Sequence, residues 1–172
     1  MIQNYNRYKI LNLFFKFPRK NFQLREISRL AKIALPSTKK YVEELVKDQL
    51  ILENKETLYK SYNANLENND FRLYKKISTL IKLKDLIYEI ENKMNPDVVV
   101  LYGSASNGED VEDSDIDLFI IGREKPINLA RFEKELNRKI HLIFENDLKK
   151  VSKEFLNNLI NGIVLYGYLK VF

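Results

Sequence analysis

The chain has 172 residues, 45% of them hydrophobic, which is enough for one ordinary domain or two small ones and too apolar for a disordered chain. It has no cysteine and a single histidine, which excludes disulfides and thiolate metal sites and argues against a histidine-rich zinc centre. No apolar run reaches the ~20 residues of a membrane span, and the opening "MIQNYNRYKILNLFFKF" lacks the small-residue cleavage pattern of a secretory signal, so a cytoplasmic protein with no membrane partner is expected. The net charge of +5 is uneven: residues 1–65 carry +7, residues 66–95 carry +1 and residues 96–172 carry −3. A basic first third beside an acidic last part points to two jobs with two partners. Two differently solvated surfaces would give the same count.

Helix period is present at once. Tyr8, Leu11, Phe14 and Phe15, widened by Ile10 and Leu13, form an apolar stripe that Pro18 ends. A second helix fits "LREISRLA", with Leu24, Ile27, Leu30 and Ala31 turned inward. A third follows in "LPSTKKYVEELVKDQLI", where Ser37 or Thr38 supplies a capping hydroxyl and Val42, Leu45 and Val46 form the buried face. The segment "LILENKETLYKSYNAN" reads as two short strands around a polar turn near Asn54, Lys55 and Glu56.

Three helices followed by a two-stranded ribbon resemble the winged helix-turn-helix. A glycine common in that family before the wing is absent at Asp48-Gln49. The resemblance implies that the helix from about Ser37 enters the major groove of double-stranded DNA. Lys39, Lys40 and Tyr41 would lie on its first turns, and Lys55 and Lys60 would reach phosphate from the wing. The competing reading is a winged helix used only for protein contact or dimerisation; the charge of +7 favours DNA.

From Phe71 to about Met94 runs one long helical pattern without Gly or Pro, broken at Asn95-Pro96. It reads as a linker helix (residues 66–95) that packs on both modules or pairs with its copy in a homodimer.

Beyond it, "DVVVLYG", "SDIDLFIIG" and "RKIHLIFEN" read as strands. A short helix is expected from Ser104, another over roughly Leu129–Leu136, and a helix and short strand close the chain. On a strand, residues two apart share a face, so Asp115 and Asp117 project side by side. Two such carboxylates repel, and a cation between them removes the conflict. All-oxygen donors favour a hard ion such as Mg2+, which prefers to share its shell with phosphate oxygens. Gly103-Ser104, at a strand-to-helix turn, offers backbone N–H groups and a hydroxyl to those phosphates. A solvated acidic turn accounts equally well for Glu109, Asp110, Glu112 and Asp113, but not for two aspartates within the strand pattern.

Gly103-Ser104, followed after residues 105–114 by Asp115-Ile116-Asp117, resembles the signature of the polymerase β nucleotidyltransferase superfamily. The context "LYGSASNGEDVEDSDIDLFI" is similar to its minimal branch. The resemblance covers residues 96–172 and implies an α+β protein: a winged helix over 1–65, the linker helix, and a small nucleotidyltransferase-fold mixed sheet with helices. It implies that Gly103 and Ser104 hold the triphosphate of ATP or another NTP, and that Asp115 and Asp117 bind two Mg2+ ions (or Mn2+). Minimal members commonly act as antitoxins that modify a HEPN-type toxin, which makes such a toxin the implied protein partner. Two departures stand out. Asn107 replaces a frequent arginine, and Ile140-His141-Leu142 stands where active members carry a third carboxylate. His141 is then a manganese-tolerant ligand, a base near the attacking hydroxyl, or a packed strand residue; Glu145 and Asp147 are substitute carboxylates. Two functions follow: a nucleotidyltransferase that modifies a partner protein and carries a DNA-binding module, or a winged-helix regulator whose second domain binds nucleotide without turnover.

Overall fold

The computed structural model describes residues 5–54 and 59–171. The chain divides into two compact units, Met1–Lys75 and Lys76–Phe172.

In the first unit, α1 (Asn6–Lys16), α2 (Leu24–Ala31) and α3 (Leu35–Lys47) surround a core that includes Ile10, Phe14, Ile27, Val42 and Leu45. Two short strands, β2 (Ile51–Asn54) and β3 (Ser61–Ala64), form the expected antiparallel ribbon, with Ile51 opposite Ala64 and Glu53 opposite Tyr62. A third strand, β1 (Phe22–Gln23), pairs with β3 and completes a sheet of order β1-β3-β2. It has only two residues and exists because Phe22 is drawn into the core, edge-on to Phe14 at 5.2 Å between ring centroids.

Two local expectations need correction. Leu30 is exposed rather than inward. At 100° per residue, Leu24, Ile27 and Ala31 share a narrow arc, and Leu30 falls beyond its edge. Neither Ser37 nor Thr38 caps α3, which starts earlier at Leu35, with Pro36 in its first turn and Ala34 as an N-cap without a side-chain bond. Thr38 is instead fully buried, its hydroxyl donating to Ile33 O at 3.2 Å and Ala34 O at 3.1 Å. Where glycine is missing before the ribbon, Gln49 itself takes the left-handed conformation, φ +58°. The carbonyls of the last turn still find donors, Gln49 N to Val46 O and Leu50 N to Leu45 O.

The long helix α4 (Asn69–Met94) begins in the first unit and continues into the second. Asn68 Oδ1 accepts from Phe71 N at 2.8 Å at its start, and Asn95 (φ +47°) and Pro96 end it. Phe71 enters the first core, and Leu83, Leu86, Ile90 and Met94 enter the second. No helix among the described residues is long and apolar enough to cross a membrane.

The second unit is built on a four-stranded mixed sheet of order β6-β5-β4-β7. Its strands are β4 (Val98–Tyr102), β5 (Ile116–Ile121), β6 (Ile140–Glu145) and β7 (Ile163–Gly167). β4 pairs antiparallel with β5 and β7; β5 and β6 are parallel, joined through α6 (Ala130–Leu136). The valine-rich β4 is buried along its whole length, as a central strand covered on both faces must be. Val99, Leu101, Leu118 and Ile120 face a core shared with α4 and α6. Val98, Val100, Tyr102 and Phe119 face α7 (Lys153–Ile160), whose Phe155 stands edge-on to Tyr102 and Phe119 at 5.1 and 5.6 Å.

Candidate active site

The alternation of β5 decides which way its carboxylates point. Leu118 and Ile120 enter one core, so Asp117 lies on the opposite face with Phe119. Asp115 precedes the strand by one residue and is exposed; Asp117 is half-buried. Register then brings the neighbours in. Tyr102, the last residue of β4, is opposite Asp117, and on the other side His141 of β6 is in register with it.

Immediately after Tyr102 the chain turns at Gly103 into the short helix α5 (Ser104–Asn107). Gly103 has φ +72° and ψ −160°, a conformation essentially restricted to glycine. A Cβ built there would sit 2.9 Å from Asp117 Oδ2, so the turn lies directly against the carboxylate. Ser106 braces it: buried, its hydroxyl donates to Gly103 O at 2.7 Å. Gly103 is exposed and Ser104 half-buried, both at the mouth of the strand pair.

Burial raises the Asp117 carboxyl above its ordinary pKa; the nearby His141 opposes the shift and the Asp115 charge adds to it. His141 Nδ1 lies 3.7 Å from Asp117 Oδ1, its ring largely exposed. Tyr102 is pushed up to about 12 by burial and by the Asp117 charge. The sequence motif thus comes together around Asp117, with Gly103, Tyr102 and His141 at its sides.

The substitute carboxylates are elsewhere. Glu145 shares the His141 face but stands four residues further along β6, about 13 Å away at strand rise. Asp147 caps a 3₁₀ turn over Leu148–Lys150, accepting from Lys149 N at 3.1 Å. Among the described residues no group of three or more His, Asp or Glu side chains is placed to hold a metal.

Two residues that sequence reasoning passed over hold the loop between α5 and β5. Asp110, expected as part of a solvated acidic turn, is buried, and its Oδ2 lies 3.4 Å from Arg138 Nε, with both side chains almost fully covered. Val111 N donates to Ser114 Oγ at 2.9 Å, and Ile116 N to Lys139 O at 2.8 Å. The loop that presents Asp115 is therefore tied to the segment that leads into His141. The signal was slight: one aspartate among acidic neighbours, and one arginine in a charged turn.

On the first unit, Lys39 and Lys60 do not stand alone. Lys39 Nζ lies 3.9 Å from Glu43, and Lys60 Nζ 2.7 Å from Glu53, which holds the Lys60 pKa above its ordinary value. With Leu24, Val46 and Tyr62 these four residues line a cavity of about 400 Å3. Lys40 is exposed on α3; Tyr41 is half-buried and packs on the core. Lys55 lies outside the described residues.

No curated protein matches the chain. The family model described as "Polymerase beta, Nucleotidyltransferase" matches residues 83–169, from the middle of α4 to just past β7. That match takes in the sheet, the Gly103 turn and the carboxylates of β5, and by it the chain belongs to the polymerase β nucleotidyltransferase family.

Proposed function

We propose that the second unit is a Mg2+-dependent (or Mn2+-dependent) site. It moves a nucleoside monophosphate from ATP or another nucleoside triphosphate to a hydroxyl of a partner protein, such as a HEPN-type toxin. The observation that carries the reading is the meeting at Asp117 of the Gly103 turn on one side and His141 on the other. Domains of this family generally use a nucleoside triphosphate and a divalent metal.

The donors fit one hard cation. Asp115 and Asp117 offer only oxygens, and the raised Asp117 pKa marks a carboxylate whose charge lacks full compensation. These two residues would hold the ion, and Gly103 and Ser104 would take the triphosphate. Bound there, the metal supplies charge neutralisation for the attacking hydroxyl and the departing pyrophosphate. The acceptor oxygen bonds to the α-phosphorus, and the bond to the β-phosphate oxygen breaks. The hydroxyl proton passes to a base, for which His141 is the nearest imidazole.

A specific observation favours a second reading. His141 is in register with Asp117, and the resemblance implies a third carboxylate at that position in active members. The domain then binds nucleotide without turnover, and the first unit acts as a transcription regulator. In either case we read that unit as a winged helix-turn-helix for double-stranded DNA, supported by its helices α1–α3, its β1-β3-β2 sheet and its net charge of +7.

Calorimetry with ATP and Mg2+ tests the site. Wild type binds, and Asp115→Asn with Asp117→Asn loses metal-dependent binding while the fold survives. Unchanged affinity in the double variant would remove the site assignment. Pyrophosphate release then separates the two readings: turnover supports the transferase. Binding without release, joined by tighter Mg2+ affinity in His141→Asp, supports the regulator.

A further inference from the structure

The long helix α4 carries a second apolar stripe that the core does not use. Tyr74, Ile77, Ile81 and Tyr88 are 46%, 43%, 37% and 66% exposed, respectively. Ordinary surface helices do not hold four large apolar side chains in one line. Their spacing is a heptad: Tyr74, Ile81 and Tyr88 fall at one repeat position, Ile77 at the other. The same second position is filled at either end by Asp70 and Lys84, both exposed. From Asp70 to Tyr88 the seam is about 27 Å long at helical rise.

We propose that this seam pairs with its own copy, in antiparallel register, to make a two-fold dimer. The charges choose the register. In a parallel pair, equal positions meet, so Asp70 would face Asp70 of the partner subunit and Lys84 would face Lys84 of the partner subunit. An antiparallel pair centred between Ile77 and Ile81 removes both conflicts. Ile77 then packs on Ile81 of the partner subunit, Lys84 lies over the ring of Tyr74 of the partner subunit, and Asp70 accepts from the phenol of Tyr88 of the partner subunit. Each contact occurs twice, as an isologous interface requires. The centre is apolar and the two ends are polar, the usual arrangement of a docking face. A short seam with one isoleucine layer repeated makes a weak dimer that depends on concentration. It is independent of any chemistry at Asp115 and Asp117.

Sedimentation of the full chain from about 1 to 300 µM tests the proposal. Wild type shifts from monomer toward dimer across that range. Ile81→Glu weakens the dimer about tenfold or more, because it places a charge in the apolar layer. Ile77→Glu, a second exposed position, does the same, so a folding defect in one variant does not decide the matter. The absence of native cysteine makes the register readable. Ile77→Cys mixed with Ile81→Cys gives an oxidative cross-link between the two variants, and Ile77→Cys alone gives none. A monomer at every concentration would overturn the proposal and leave the seam for a different protein. So would a dimer indifferent to both glutamates, or an efficient cross-link with Ile77→Cys alone.

Discussion

At the scale of single residues, Gly103 is the position where backbone and site are least separable. Its φ and ψ exclude other residues, and the missing Cβ is what allows Asp117 Oδ2 to lie against the turn. Gly103→Ala is expected to lower stability by about 1–3 kcal/mol through backbone strain. The added methyl would also displace the Asp117 carboxylate, so metal-dependent nucleotide binding should fall further than stability does. Denaturant unfolding and calorimetry on the same preparation check the pair of effects; a stable variant with full binding would contradict the geometry. The Asp110–Arg138 pair makes the complementary point. The charge pattern of the loop is the same whether Asp110 is solvated or buried, and its role depends on a partner far along the chain, which no local pattern announces.

At the scale of elements, α4 joins α6 through Glu89, which accepts from Lys93 Nζ at 2.7 Å and Arg131 Nη2 at 2.9 Å. The Lys93 hydrogen bond is the largest cause holding the Glu89 pKa below its ordinary value; the charges of Lys93 and Arg131 add to it and burial opposes it. A depressed carboxylate pKa means that folding favours the ionised form. Its stabilising contribution is therefore complete above the unfolded pKa of about 4.3 and disappears as pH falls through the lower folded value. Glu89→Gln should be less stable than wild type at neutral pH, and the two should converge on acidification below the carboxylate range. Chemical denaturation at several pH values measures this. A difference that persists in acid would assign the effect to packing rather than charge. The same helix shows why periodicity alone misleads: all of its apolar residues fit a helical repeat, but only some of them have a core to enter.

At the scale of the whole molecule, a basic unit precedes an acidic one that carries the carboxylates, and the division lies within α4. If the first unit takes DNA, the full chain should bind duplex with a steep salt dependence. Lys39→Ala with Lys40→Ala should lower affinity across sequences and flatten the salt slope by about one unit for each phosphate no longer neutralised. The pairing of Lys39 with Glu43 at 3.9 Å is exposed and is expected to yield easily to phosphate. A slope unchanged in the double variant would place the DNA away from α3.

Most of the order of elements, the long helix, the strand–turn–helix at Gly103 and the placement of Asp117 on a strand, with Asp115 just before it, were legible in the sequence. All follow from periodicity and steric rules acting over a few neighbouring residues. Tertiary structure alone decided the rest. It recruited Phe22 into a third strand. It buried Thr38 rather than using it as a cap. It also set His141 in register with Asp117. These outcomes depend on which distant side chains and strands meet. Such meetings are settled by packing and register across the chain, and residues that are far apart in sequence carry no local sign of them.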